Sequence, residues 1–197
     1  AGHQTGNQFT VQANMMLNNT VWPAMANAFE TAQGDLADRL MAALDAAQDK
    51  GGDIRGKQSA AMLIVDGKRS SEPWKHILVD LRVEDDPVPL AELGRVLSIQ
   101  RAYEAMNRGD ALLSEGNIEE AFKAYDTGAT LAPHISELPF WQAVTLAESG
   151  KVEDSLPIFK QVFTADANWA LLLQRLPAAG LFKVDAEILK RILELTK

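Results

Sequence analysis

The sequence predicts an α+β chain in which residues 1–88 mix strands with helices and residues 89–197 are wholly helical. Three observations predict it. Apolar residues at period two occur only ahead of Pro87, the 3.6-residue period holds almost alone after it, and a 34-residue self-similarity runs through the second part.

In the first part, Gln8 to Asn14 alternates, with Phe9, Val11 and Ala13 on one face, the pattern of a short half-buried strand. From Thr20 to Thr31, Val21, Met25, Ala28 and Phe29 recur at helical spacing, and Pro23 falls in the first turn, where its missing N–H costs nothing. Leu36, Leu40, Met41, Leu44 and Ala47 form a second amphipathic stripe, stopped by Lys50-Gly51-Gly52. Ser59 to Val65 is near-continuously apolar, as expected of a strand covered on both faces. Lys75 to Val83 alternates with Ile77, Val79, Leu81 and Val83 inward, and the turn chemistry of Asp66 to Pro73 makes the two a hairpin. The period-two signal stops at Glu84-Asp85-Asp86-Pro87, which sets the domain boundary near residue 88.

In the second part, Gly116 and Gly150 lie one tetratricopeptide period apart, and at the same offset Ala121 matches Ser155, Tyr125 matches Phe159 and Leu131 matches Ala165. A small residue lets two helices cross closely, and the aromatic beside it fills the wedge. Two such units fall short of the three a free-standing array needs, so Leu90 to Arg108 on one side, and Asn168 to Leu173 with Asp185 to Leu195 on the other, are expected to cover the ends. Residues 98–167 should then form four antiparallel helices.

Composition narrows the function classes. The 19 basic and 27 acidic side chains leave a net charge of −8, spread evenly, and no basic face stands out. Nucleic-acid and anionic-membrane binding are therefore not expected, and no run approaches the ~20 apolar residues of a membrane span. With no cysteine there is no thiol nucleophile, disulfide or thiolate metal site, and the compartment stays open. The start, Ala1-Gly2-His3, lacks an initiator Met and a signal-peptide pattern, and reads as a processed product or a fragment.

Longer motifs carry a family resemblance. Ala1-Gly2-His3 with Gly6, Phe9-x-Val-Gln-Ala-Asn-Met-Met, the helix from Asp35 to Leu44, Gly51-Gly-Asp-Ile-Arg-Gly-Lys-Gln-Ser-Ala-Ala and Asp80-Leu-Arg-Val-Glu-Asp-Asp-Pro together resemble the C-terminal half of a bacterial family of unknown function with an N-terminal-nucleophile (Ntn) hydrolase-like fold. Residues 98–182, with Phe140-Trp141, Leu156-Pro157 and Leu176-Pro177, resemble a helical tail to which some members owe a peptidoglycan-binding label. The resemblance implies a partial αββα sandwich, completed by strands and a nucleophile from an upstream segment. Such hydrolases attack with the side chain of their first residue, using its α-amino group as base, and Ala1 offers no such side chain. Where the family pattern runs acidic-acidic-His-Pro, this chain has Glu84-Asp85-Asp86-Pro87. The implied activity is amide hydrolysis with the nucleophile outside this chain; the rival is a non-enzymatic binding or scaffold protein. The implied partner is the upstream segment or a second copy completing the sheet, in a homo-oligomer.

The candidate site is the polar loop Asp53 to Ser59 at the mouth of a buried strand. Arg55 and Gln58 are the candidate catalytic groups there, with Asp53 and Ser59 as substrate-binding partners, and Asn14 is a candidate oxyanion donor at the end of the first strand. The structural alternative pairs Arg55 with Asp53. Asp80 and Arg82 read as a surface ion pair, and Glu84-Asp85-Asp86 as a solvated turn rather than a cation site. His3, His76 and His134 are scattered, so no metal is expected, and no nucleotide or dinucleotide motif calls for a cofactor. Phe140, Trp141, Phe159, Phe163 and Trp169 either line a groove for a peptide or glycan or, as the more common case, form core.

Overall fold

The computed structural model describes residues 1–196. The chain is α+β: small sheets with helices come first, then a run of helical hairpins. It forms two compact units, Ala1–Leu97 and the residues from Ser98 on.

In the first unit, β1 (Gly2–Gly6) pairs antiparallel with β2 (Phe9–Ala13), and β3 (Ala60–Val65) pairs antiparallel with β4 (Ile77–Val83), as two separate two-stranded sheets. Between them in sequence lie α1 (Val21–Thr31) and α2 (Leu36–Asp49). β1 is absent from the sequence expectation because its polar residues carry no alternation; β2, one tight turn away, supplies its partners through Gly6 and Phe9. That turn holds Gln8 at φ 63°. β2 buries Val11 and half-buries Phe9 and Ala13, the face expected.

Helix α2 starts at a reciprocal cap: Asp35 accepts from the Asp38 amide at 3.0 Å while Asp38 accepts from the Asp35 amide at 3.1 Å. It ends where Gly51 and Gly52 take positive φ, 102° and 57°, conformations that favour glycine. Arg39 on this helix lies 4.2 Å from the centroid of the Phe29 ring of α1 and donates to the Phe29 carbonyl, tying the helix pair together.

In the β3–β4 hairpin the described residues of this chain bury one face of β3. Met62 and Ile64 of β3 join Val79 and Val83 of β4, Ala37 of α2 and Leu93 and Leu97 in one core. On the opposite face Leu63 and Val65 are 58% and 57% exposed, and Leu78 of β4 is 54% exposed. The inward run of β4 is also shorter than its alternation suggests. A register shift at Ile64/Val65 pairs Val65 with Ile77 and skips Leu78, so Ile77 turns outward, while Leu81, opposite Met62, stays on the inner face and is half-buried. Lys75 and His76 belong to a 3-10 turn, Pro73–His76, ahead of the strand.

A single helix, α3 (Pro89–Ser114), follows. It begins in the first unit and continues into the second, so the division between the units falls within it. The second unit continues with α4 (Ile118–Leu131), α5 (Glu137–Glu148), α6 (Val152–Ala165), α7 (Asn168–Arg175) and α8 (Ala186–Leu193). Ala121 and Ser155, the small residues of the 34-residue repeat, are both fully buried. Tyr125 explains Gly109: any side chain at 109 would run into its ring. The Tyr125 hydroxyl donates to Asp110 at 2.8 Å, and burial with that contact pushes its ionisation well above the ordinary tyrosine range. Phe140, Phe159 and Phe163 lie in a core closed by Leu173, Leu176, Phe182 and Ile192, residues of α7, α8 and the segment joining them. Those three rings are therefore core, and Trp141 and Trp169 pack half-buried against them.

Candidate functional site

The loop after α2 is built by backbone pairing. The amide of Leu17 donates to the Gly52 carbonyl at 2.9 Å and that of Ile54 to the Met15 carbonyl at 2.9 Å, with Met16 bridged to Asp53. Gly56, at φ 114°, then turns the chain as its amide donates to the Asp53 carbonyl at 3.1 Å. Beyond the turn, the Gln58 carbonyl accepts from the amide of Asp86 at 2.9 Å, which holds the loop against the acidic turn ahead of α3. The Asp86 carboxylate in turn accepts from the Val88 amide at 2.6 Å.

These bonds open a cleft of about 740 Å³. Its walls are the loop from Gly52 to Ser59 on one side and Asp85, Pro89 and Leu90 on the other, with Leu44, Ala47 and Gln48 of α2 beneath. The volume is that of a small-molecule site, which runs from roughly 300 to 1,000 Å³. Four of the five residues singled out in the sequence, Asp53, Arg55, Gln58 and Ser59, line it together.

Asn14 does not. It lines a separate cavity of about 510 Å³ with Ala1, Gly2, His3, Gln12 and Ala13. The two neighbourhoods are nonetheless adjacent along the backbone, since Asn14 precedes Met15 and Arg55 follows Ile54 in the bridged segments.

Within the cleft, the Arg55 side chain is committed. Its Nη2 reaches Asp53 Oδ2 at 2.6 Å, its Nε reaches Oδ1 at 2.9 Å, and its own amide donates to Oδ1 at 2.8 Å. The hydrogen bond from the guanidinium, helped by the amide bond and the opposite charge, holds the Asp53 carboxyl down to about 2 and raises Arg55. The pair is therefore a fixed, internally neutralised fork. The side chains of Gln48, Lys57, Gln58, Ser59 and Asp85 form no hydrogen bond or ion pair with other described residues, so their polar groups face the cleft or solvent.

Sequence reasoning missed the far wall. In sequence, Glu84-Asp85-Asp86 reads as a solvated turn and Lys57 as part of the Asp53–Ser59 loop, with no local pattern to join them. The signal that could have joined them is the chain direction: β3 leaves the loop and antiparallel β4 returns to the same end, so residues just before β3 and just after β4 must be neighbours.

Elsewhere, Arg82 pairs with Asp80 at 3.4 Å on the exposed face of β4. His76 lies 3.5 Å from Asp66. Among the described residues no three His, Asp or Glu side chains gather as a metal site would require, and no helix is long and apolar enough to cross a membrane.

A second cavity of interest, about 480 Å³, separates the two hairpins. Phe9 to Gln12 of β2 form one wall and Ala61 to Leu63 of β3 the other, with Met25, Phe29, Leu40 and Leu44 of the helix pair as an apolar floor.

The first unit thus has the form of an α+β module with a cleft along the Gly52–Ser59 loop and a cavity between its two hairpins. Residues 1–93, just under half of the chain, match the model of a family of unknown function (DUF1028). No curated protein and no solved structure matches the chain.

Proposed function

We propose that this chain is the downstream part of an Ntn-hydrolase-like protein that acts on an amide bond, with its nucleophile on an upstream segment and its helical tail as an interaction module. The observation that carries the reading is the gathering of Asp53, Arg55, Gln58 and Ser59 around one cleft. In it the Asp53–Arg55 fork presents a fixed dipole, and the Gln58 amide and Ser59 hydroxyl supply uncommitted hydrogen-bond groups. Donors aimed at a developing oxyanion accelerate acyl transfer, and losing one costs roughly 100- to 1,000-fold. Asn14 supplies such a donor in this reading from the adjacent cavity.

The same reading has the sheet completed from outside residues 1–196, by the upstream segment or a second copy. The apolar gap between β2 and β3 supports it, since both walls are strand edges whose backbone groups can accept further strands.

The test is Arg55→Ala with the upstream segment present, assayed on a panel of simple amides and by thermal unfolding. Loss of turnover by 100-fold or more with little change in Tm supports the hydrolase. Unchanged turnover, or no turnover by the wild type, favours the rival reading of a non-enzymatic scaffold that recruits a partner through its helices. The bidentate fork on Asp53 is the observation on that side, because a structural ion pair needs no ligand.

A further inference from the structure

The cleft between the Gly52–Ser59 loop and the acidic turn has an uneven charge pattern. One cation, Arg55, is neutralised by Asp53 at hydrogen-bond distance, whereas Lys57 and Asp85 have no charged partner among the described residues. An unpaired cation and an unpaired anion therefore line the same cleft, together with the apolar side chains of Leu44 and Leu90. A purely anionic ligand would meet Asp85 and a purely cationic one Lys57, each an unfavourable like-charge contact. A neutral apolar ligand would leave both charges desolvated without compensation. The ligand that matches both carries one carboxylate, one ammonium and an apolar body. A volume of about 740 Å³ exceeds what a single amino acid fills and suits a peptide of a few residues.

We propose that this cleft binds a short peptide with free termini, its carboxylate at Lys57, its ammonium at Asp85 and its apolar side chains against Leu44 and Leu90. The proposal rests on the reading of the cleft as the substrate site and supplies the substrate class for it. Charge-assisted hydrogen bonds at two ends fix the direction of the peptide, so its amide lies across the region lined by Arg55, Gln58 and Ser59.

The experiment is titration calorimetry of the chain with the dipeptide Ala-Leu, with N-acetyl-Ala-Leu, which lacks the ammonium, and with Ala-Leu amide, which lacks the carboxylate. The expected result is saturable binding of the free dipeptide, weakened roughly tenfold or more by either cap. Lys57→Ala should bind the free and amidated forms alike, and Asp85→Asn the free and acetylated forms alike, each variant keeping wild-type Tm. Equal affinity for capped and free peptides, no saturable binding of the free dipeptide, or cap sensitivity unchanged in both variants overturns the proposal. Turnover distinguishes it from the hydrolase reading. Cap-sensitive binding with no hydrolysis in the presence of the upstream segment leaves the ligand class standing and removes the hydrolase, and amide hydrolysis without cap sensitivity does the reverse.

Discussion

The two units spend their apolar residues differently. The helical unit leaves few of its large apolar side chains exposed: Phe140, Phe159, Leu146, Leu173 and Ile192 are fully enclosed, many others are half-buried against them, and the exposed ones are Tyr103, Leu171 and Leu181. The first unit exposes Met15, Leu17, Leu36, Ile54, Leu63, Val65, Trp74, Ile77, Leu78 and Val88. Scattered exposed apolar residues are ordinary, but Leu63 and Val65 share one face of β3 that the described residues leave exposed. The contrast teaches that helical hairpins close their own core by stacking on neighbours in sequence, whereas a two-stranded sheet buries one face and leaves edges and the other face for something else.

The strongest way to break the comparison is to hollow the helical unit. Phe140→Ala removes a fully buried ring that touches Trp169 and Phe159, at centroid distances of 4.7 and 6.3 Å, and should cost about 3–5 kcal/mol in denaturant unfolding. A loss below ~1 kcal/mol would mean that this core is looser than its burial indicates. Ala121→Phe overfills the crossing beside Tyr125 and should cost about 1–3 kcal/mol; an unchanged midpoint would show that the 34-residue register does not set that crossing.

On the other side, Leu63→Lys should change the stability of this chain by no more than ~0.5 kcal/mol, because the side chain is already in water. In an assembly that covers the face, the same substitution buries a charge, and a drop in association measured by analytical ultracentrifugation would identify the covered surface. The smallest effect belongs to the Asp53–Arg55 fork. Since folding lowers the Asp53 carboxyl from 3.8 to about 2, the fork contributes stability above about pH 4, and that contribution fades as pH falls towards 2. The Tm advantage of wild type over Arg55→Ala should therefore be small near pH 5 and disappear as pH falls through about 2, small because the Arg55 side chain is 66% exposed.

Parts of the candidate site were legible in the sequence and parts were not. Asp53, Arg55, Gln58 and Ser59 are neighbours in the chain, so one loop brings them to one cleft. Asn14, forty residues earlier, was joined to them by function alone, and the structure gives it a different cavity. Lys57 and Asp85 escaped because their meeting depends on the return of β4 rather than on any local pattern.

Local periodicity determined the helices. The stripes of α1 and α2, the glycine stop at Gly51-Gly52 and the repeat that buries Ala121 and Ser155 all follow from residues within a few turns of one another, where backbone hydrogen bonding and side-chain spacing are set by sequence neighbours. Tertiary structure alone decided what depends on distant partners. It turned the polar Gly2–Gly6 segment into a strand by giving it β2, and it left Leu63 and Val65 outside by placing helices under one face of the hairpin. It also ran Pro89–Ser114 as one helix through both units, since Gly94 and Gly109 break no helix when packing against Met41 and Tyr125 fills the space they leave. The period of an apolar pattern says which residues share a face; only the whole fold says whether that face meets protein or water.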